Sequence, residues 1–209
     1  MTATTHVRGF VLAGGASRRF GRDKALVEFD GEPLISRLCR VLQSATTSNV
    51  RIVGDPAKYG HSGIECIADR WPGEGPLGGI VTALEASDAS PERSSWSLII
   101  GCDMPFLTND WLRYLAARGT ASKAEVVVPE SNYGLEPLCT CWRMSAAPVL
   151  KRAFNGGVRR VTEAMKQLSM EVLDAADWKR FDNFDRLFWN MNTPTDHQEA
   201  IRRLKAERP

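Results

Sequence analysis

Apolar residues along this chain fall into two kinds of segment that alternate. Residues 7–12 (VRGFVL) are mostly apolar and β-prone, and they run into Ala13-Gly14-Gly15, the pattern of a buried strand entering a loop. Residues 33–45 carry Leu34, Ile35, Leu38, Val41 and Leu42 at helical spacing, with Pro33 suited to a first turn. Strand patterns recur at 50–53, 64–68, 96–102 and 125–129, and 96–102 (WSLIIGC) is apolar enough to be buried on both faces. Helical patterns lie between them at 77–86 and at 108–117, the latter with Thr108 as its cap and Asp110 in its first turn. The second half is less regular. It offers a strand at 137–143 that suits an antiparallel placement, helices at 146–154 and 158–168, a weak strand at 170–173 and a closing helix at 193–205.

Strands alternating with helices predict an α/β fold, a three-layer α/β/α arrangement around a mainly parallel sheet. No repeat or linker divides the 209 residues, and the polar stretch 88–95 reads as a loop, so one domain over 1–209 is expected. A domain of this size buries roughly 70% of its unfolded surface and needs no disulfides. Lys and Arg nearly balance Asp and Glu, for a net charge of +2. That argues against a nucleic-acid coat or a binder of anionic membranes and leaves room for a local basic site. The five cysteines include no C-x-x-C pair and read as small buried thiols of a reducing compartment. Cys139 and Cys141 share a strand face, but further zinc ligands are not evident nearby. The first six residues are polar, and no run approaches the ~18 apolar residues of a membrane span, so a cytoplasmic protein is expected.

The most informative segment is L-A-G-G-A-S-R-R-F-G-R-D-K, residues 12–24. Gly14, Gly15 and Gly21 permit close backbone approach, and the N–H groups of such a loop cradle phosphate oxygens. Arg18, Arg19, Arg22 and Lys24 add positive charge. The dinucleotide pattern G-x-G-x-x-G is absent, and the G-x-x-x-x-G-K-[ST] spacing of a P-loop is not met. The bland alternative is a glycine-rich turn with solvated charges.

The segment resembles the L-A-G-G-x-S-x-R-[MF]-G-x-x-K signature of nucleotidyltransferases with the nucleotide-diphospho-sugar transferase fold. G-P-L-G-G-I at 75–80, C-D-M-P-F-L at 102–107 and N-M-N-T-P-T-D at 190–196 follow in order. Together they resemble the molybdenum cofactor guanylyltransferase family, which joins molybdopterin to GMP, over essentially the whole chain. The resemblance implies a Rossmann-like fold, GTP and molybdopterin as substrates, and Mg2+ as cofactor. It also implies transient contact with molybdenum cofactor insertion proteins or molybdoenzymes. It assigns the nucleotide to Leu12, Ala13, Gly14, Gly15, Arg19 and Lys24, with Asp69 on the base and Gly78 and Gly79 where a helix approaches. Arg19, Lys24 and Asp103 become the catalytic groups, and Asp103 the Mg2+ ligand. Arg159 or Arg160, and Asn190 with Asn192, fall to the acceptor substrate. One departure is Gly54-Asp55, where family members often carry an asparagine near the base.

Physical chemistry supports these assignments unevenly. Asp103 follows an apolar strand, where open α/β sheets bind ligands, and Mg2+ takes one or two carboxylates plus phosphate oxygens. The bland alternative is that Asp103 caps a helix or turn before Met104-Pro105. Asn190 and Asn192 would face one side of an extended segment, although Asn192 also suits the cap of the helix that follows. Arg159 and Arg160 would open a helix, and only one of two adjacent helical residues faces a given ligand. Trp96, Trp111 and Trp142 fit core positions, Trp71 lies in the 69–79 loop with the site as its expected neighbour, and His6, His61 and His197 lack the spacing of a metal site or triad. The same reaction with CTP or with a sugar phosphate acceptor, and a nucleotide-binding regulator without turnover, are the competing readings.

Overall fold

The computed structural model describes residues 6–14, 21, 23–88, 95–182 and 186–206. Its centre is a mixed sheet of β1 (Val7–Ala13), β4 (Arg51–Gly54), β5 (Cys66–Ala68), β6 (Trp96–Gly101), β7 (Val126–Ser131), β8 (Gly134–Leu135), β9 (Cys139–Arg143) and β10 (Met170–Leu173). The order across it is β10-β7-β9-β6-β1-β4-β5, with β8 paired to β7. β1 runs parallel to β4 and β6, β4 to β5, and β7 to β10. β9 runs antiparallel to both of its neighbours, β6 and β7, as the pattern at 137–143 suggested. A separate hairpin, β2 (Glu28–Phe29) and β3 (Glu32–Pro33), follows the glycine-rich segment.

The alternation of side chains along each strand feeds two cores. Val7, Val11, Ile52, Leu98, Ile100, Cys139 and Cys141 face one layer, which holds α1 (Leu34–Gln43) and α4 (Asn109–Ala121). Phe10, Leu12, Val53, Ile99, Val126 and Trp142 face the other, which holds α3 (Pro76–Asp88), α5 (Ala147–Asn155) and α6 (Val161–Met165). α1 buries Leu34, Ile35, Leu38, Cys39, Val41 and Leu42 along one stripe. Full burial of each large aliphatic chain contributes about 1.5–3 kcal/mol, so this stripe, more than helix propensity, holds α1 in place. Trp96, Trp111 and Trp142 are all in the core. The last helix, α8 (Pro194–Lys205), packs Ala200, Ile201 and Leu204 on the first core. Two further helices, α2 (Pro56–Tyr59) and α7 (Ala175–Trp178), are one turn each.

Several expectations shift in detail. α4 is capped by the Thr108 hydroxyl, which accepts from Trp111 N at 3.3 Å, but it runs four residues past the expected end. The helix expected over 158–168 is only α6: Gly157 takes a positive φ, and Arg160 is its extended N-cap. Arg159 and Arg160 therefore precede that helix and do not open it. α8 is capped by Thr193, not Asn192, in a reciprocal capping box with Asp196. Four of the five cysteines are buried, and burial pushes the Cys139 thiol up to about 12, so it stays neutral and packs under Trp111. No described helix is long and apolar enough to cross a membrane.

Candidate active site

The C-terminal ends of β1, β4, β5 and β6 open onto one cleft, where parallel strands leave their unpaired backbone ends and the connecting loops part. Two adjoining hollows make it up, and both are lined by Gly14, Asp69 and Gly73. The smaller, about 140 Å3, holds Leu12, Lys24, Gly79, Asp103 and Leu138. The larger, about 380 Å3, holds Ala13, Asp23, Asp55, Lys58 and Tyr59. α3 begins at Pro76, and Gly75 and Pro76 line the smaller hollow. The positive end of that helix is thus turned toward it.

Three polar side chains meet at the edge of the smaller hollow, two of them, Lys24 and Asp103, lining it. Lys24 Nζ donates to Asp103 Oδ2 at 3.3 Å and to Asn192 Oδ1 at 3.4 Å, across 79 and 168 residues of sequence. Each partner is held through the backbone of its neighbouring residue. Cys102 N donates to Leu12 O at 3.2 Å, which ties the β6 exit to β1. Met191 is buried, and its N–H donates to Asp103 O at 2.8 Å, which staples the Asn190–Asn192 segment beside the aspartate. Gly101 has no room for a side chain: a Cβ there would lie 2.7 Å from Asp103 Oδ1. Asp103 Oδ1 is buried and has no hydrogen-bond partner among the described residues. An anionic oxygen of that kind calls for a cation.

Asp69 stands between the two hollows. Its Oδ1 accepts from Trp71 N at 3.0 Å, with Thr82 Oγ1 at 3.4 Å, so one oxygen is committed to holding the loop. Oδ2 lies on the Gly14 side, 4.0 Å from where a Cβ on Gly14 would be. Gly79 packs on Leu12 and lines the cleft, whereas Gly78 faces Trp71 and Phe154 and serves helix packing. Arg159 is engaged by Glu74 at 2.8 Å and by Phe154 O at 2.8 Å, and its guanidinium stacks on the Phe154 ring. Arg160 is exposed and has no side-chain partner among the described residues. Asn190 is exposed and donates to Phe188 O at 3.2 Å. Gly15 and Arg19 lie outside the described residues.

Leu138 and Glu136, near Asp103, carry no motif in the sequence. Leu138 forms a wall, and its carbonyl accepts from Gly101 N at 2.7 Å. Glu136 is buried just before it, with its carboxylate accepting from Ser131 Oγ at 2.6 Å. Burial raises the Glu136 pKa, and the Asp103 charge adds to the rise. Burial, reinforced by Asp103, also pushes the Cys102 thiol up to about 12, so it lines the cleft as a neutral group rather than a nucleophile. The Asp23–Tyr59 pair could not be read from sequence, because its members are 36 residues apart with no shared period.

A family model described as "MobA-like NTP transferase domain" matches residues 9–170. The chain belongs to that family. Its MobA-like relatives include a "probable molybdenum cofactor guanylyltransferase" from Chloroflexus aggregans, 31% identical, covering 90% of this chain and 90% of its own length. A protein of the same description from Deinococcus radiodurans is 37% identical over 72% of this chain and 75% of its own length. Among solved structures, molybdopterin-guanine dinucleotide biosynthesis protein A from Archaeoglobus fulgidus superposes with a TM-score of 0.80 at 26% identity, covering 95% of this chain and 99% of that one.

Proposed function

We propose that this protein transfers GMP from GTP to the terminal phosphate of molybdopterin and releases pyrophosphate. Membership of the MobA-like family and the names of its relatives support the reaction. The observation that carries the site is the meeting of Lys24 with Asp103 and Asn192 at the mouth of the cleft. In this reading a phosphate oxygen of the acceptor attacks the α-phosphorus of GTP in line. A new P–O bond forms, the bond from the α-phosphorus to the bridging oxygen breaks, and pyrophosphate departs with that oxygen.

The roles follow from chemistry. Lys24 neutralises the charge that grows on the leaving pyrophosphate, and the loop amides around Gly14 and Gly15, with Arg19, hold the rest of the triphosphate. Asp69 Oδ2 accepts from the guanine ring N–H and amine, with the base in the larger hollow, whose volume suits a purine. Arg160, free of the contacts that occupy Arg159, is the arginine available to the acceptor, and Asn190 and Asn192 are assigned to the same substrate. The acceptor phosphate is ionised near neutral pH, so no general base is required. The residues fit a divalent cation, Mg2+ in our reading: one carboxylate with a buried unpartnered oxygen, and phosphates to supply further ligands. When bound, Mg2+ would add charge neutralisation at the reacting phosphate. The single-domain reading over 1–209, the cytoplasmic setting and transient contact with cofactor insertion proteins or molybdoenzymes belong to the same proposal.

The test is pyrophosphate release by purified protein with GTP, Mg2+ and molybdopterin. One pyrophosphate per molybdopterin-guanine dinucleotide formed is expected. Release with a sugar phosphate but not with molybdopterin would overturn the acceptor, and faster turnover with CTP would overturn the base.

A further inference from the structure

Lys24 sits on a short 3-10 turn, Lys24–Leu26, and its neighbour Asp23 controls that turn. Asp23 Oδ1 accepts from Ala25 N at 3.1 Å and caps it. Asp23 Oδ2 accepts from the Tyr59 hydroxyl at 2.8 Å, with Lys58 Nζ farther away at 3.7 Å. Tyr59 ends α2 and is only 4% exposed. Its ring lies over Gly54, where a Cβ would come within 2.8 Å of the ring and closer still to Ala13 O. Only a glycine at 54 lets the tyrosine lie this low. The phenol is therefore fixed from the end of β4, and its oxygen reaches across the larger hollow to the turn that carries Lys24. Burial first, then the Asp23 carboxylate, raises the phenol pKa far above its ordinary value, so the hydroxyl remains a donor at any working pH.

We propose that Tyr59 is a positioning residue that acts through Asp23 to fix the Lys24 ammonium where the leaving pyrophosphate develops charge. The inference rests on the reading of Lys24 as the phosphate cation. α2 and the hollow beside it then set the geometry of the reacting end of the nucleotide. Small misplacements of a positioned charge cost rate steeply, up to ~10²-fold for an error near 1 Å. A purely structural Tyr59 would instead fill the space above Gly54 and leave turnover per folded molecule unchanged.

The experiment is a double-mutant cycle on pyrophosphate release with GTP and molybdopterin, using Tyr59→Phe and Lys24→Ala singly and together. Tyr59→Phe keeps the ring and its packing and removes only the hydroxyl. Melting temperatures show that each variant is folded. With Lys24 present, Tyr59→Phe should lower kcat about tenfold while the KM for GTP moves less than about threefold. With Lys24→Ala, the same change should cost less than about twofold, because a residue that acts through Lys24 has nothing left to position. Asp23→Asn keeps an oxygen for the Ala25 cap and should reproduce the kcat loss without unfolding. Unchanged kcat in folded Tyr59→Phe, or an equal loss in both backgrounds, would overturn the clamp while leaving the Lys24 reading intact. Near-normal turnover in folded Lys24→Ala would remove the Lys24 reading and the clamp with it.

Discussion

Replacing Asp69 with asparagine changes the character of one atom and keeps the shape of the side chain. The amide oxygen of the substituted side chain can still accept from Trp71 N, as Asp69 Oδ1 does at 3.0 Å, so the loop into α3 keeps its anchor. The NH2 group then occupies the place of Oδ2, the oxygen we propose for the base. Guanine would meet it with two donors of its own. Hydrogen bonds to a charged acceptor contribute about 1.5–3 kcal/mol net. Losing both on one oxygen should cost about 3 kcal/mol, or somewhat more than ~10²-fold in kcat/KM for GTP. CTP and ATP lack the paired donors and should change less than about threefold. The wild-type preference for GTP over both, expected to be at least ~10²-fold, should therefore collapse toward parity. The assay is kcat/KM for the three nucleotides in wild type and Asp69→Asn, with melting temperature as the control. A variant that still prefers GTP by ~10²-fold would remove Asp69 from the base site. An equal fall for all three nucleotides would reduce Asp69 to an anchor of its loop.

Three further outcomes are expected. Asp103→Asn should abolish Mg2+-dependent turnover by ~10²–10³-fold while metal-free GTP binding changes far less, which titration with and without EDTA would show. Asn192→Asp puts a carboxylate beside Lys24, whose Nζ is 3.4 Å from Asn192 Oδ1, and should cut kcat roughly tenfold to a hundredfold by tying up the ammonium; unchanged kinetics would separate Asn192 from the phosphates. Gly54→Ala drives a methyl into Ala13 O and the Tyr59 ring, so it should destabilise by about 2 kcal/mol and lower the melting temperature by about 4–8 °C, read by calorimetry.

Much of the sheet is legible in the sequence because burial on both faces leaves an unmistakable run of β-prone apolar residues, as at Trp96–Gly101, and because α1 carries its buried residues on one stripe. The hairpin of β2 and β3 escapes the hydrophobic pattern, although Asp30-Gly31, both at positive φ, is a strong two-residue turn signal. Its strands are two residues each, too short for any period to register. α2 escapes for the same reason, despite Asp55 and Pro56 forming a sound helix start. The strand order is beyond local patterning, since β9 lies between β6 and β7 through pairings no single segment encodes. The site residues are named by family resemblance more than by physics. Nothing local tells Asn192 that it will face Lys24. Leu138 reaches the cleft only because β9 runs in the opposite direction, and Tyr59 only because Gly54 lets its ring down.

The reversed course of β9 has an evolutionary corollary. In an all-parallel sheet every loop at the ligand edge would follow a strand that has just been laid beside the nucleotide half. Here the turn from β7 through β8 to the start of β9 arrives at Asp103 from the other flank, carrying Glu136 and Leu138. The glycine-rich side of the cleft, which the proposed reading gives to the nucleotide, and the wall at Leu138 thus belong to separate stretches of chain that meet at one aspartate. Changes in the 131–138 turn can therefore reshape this wall without disturbing β1, β4 or the first turn of α3. One flank of the cleft can in that way vary while the other stays fixed.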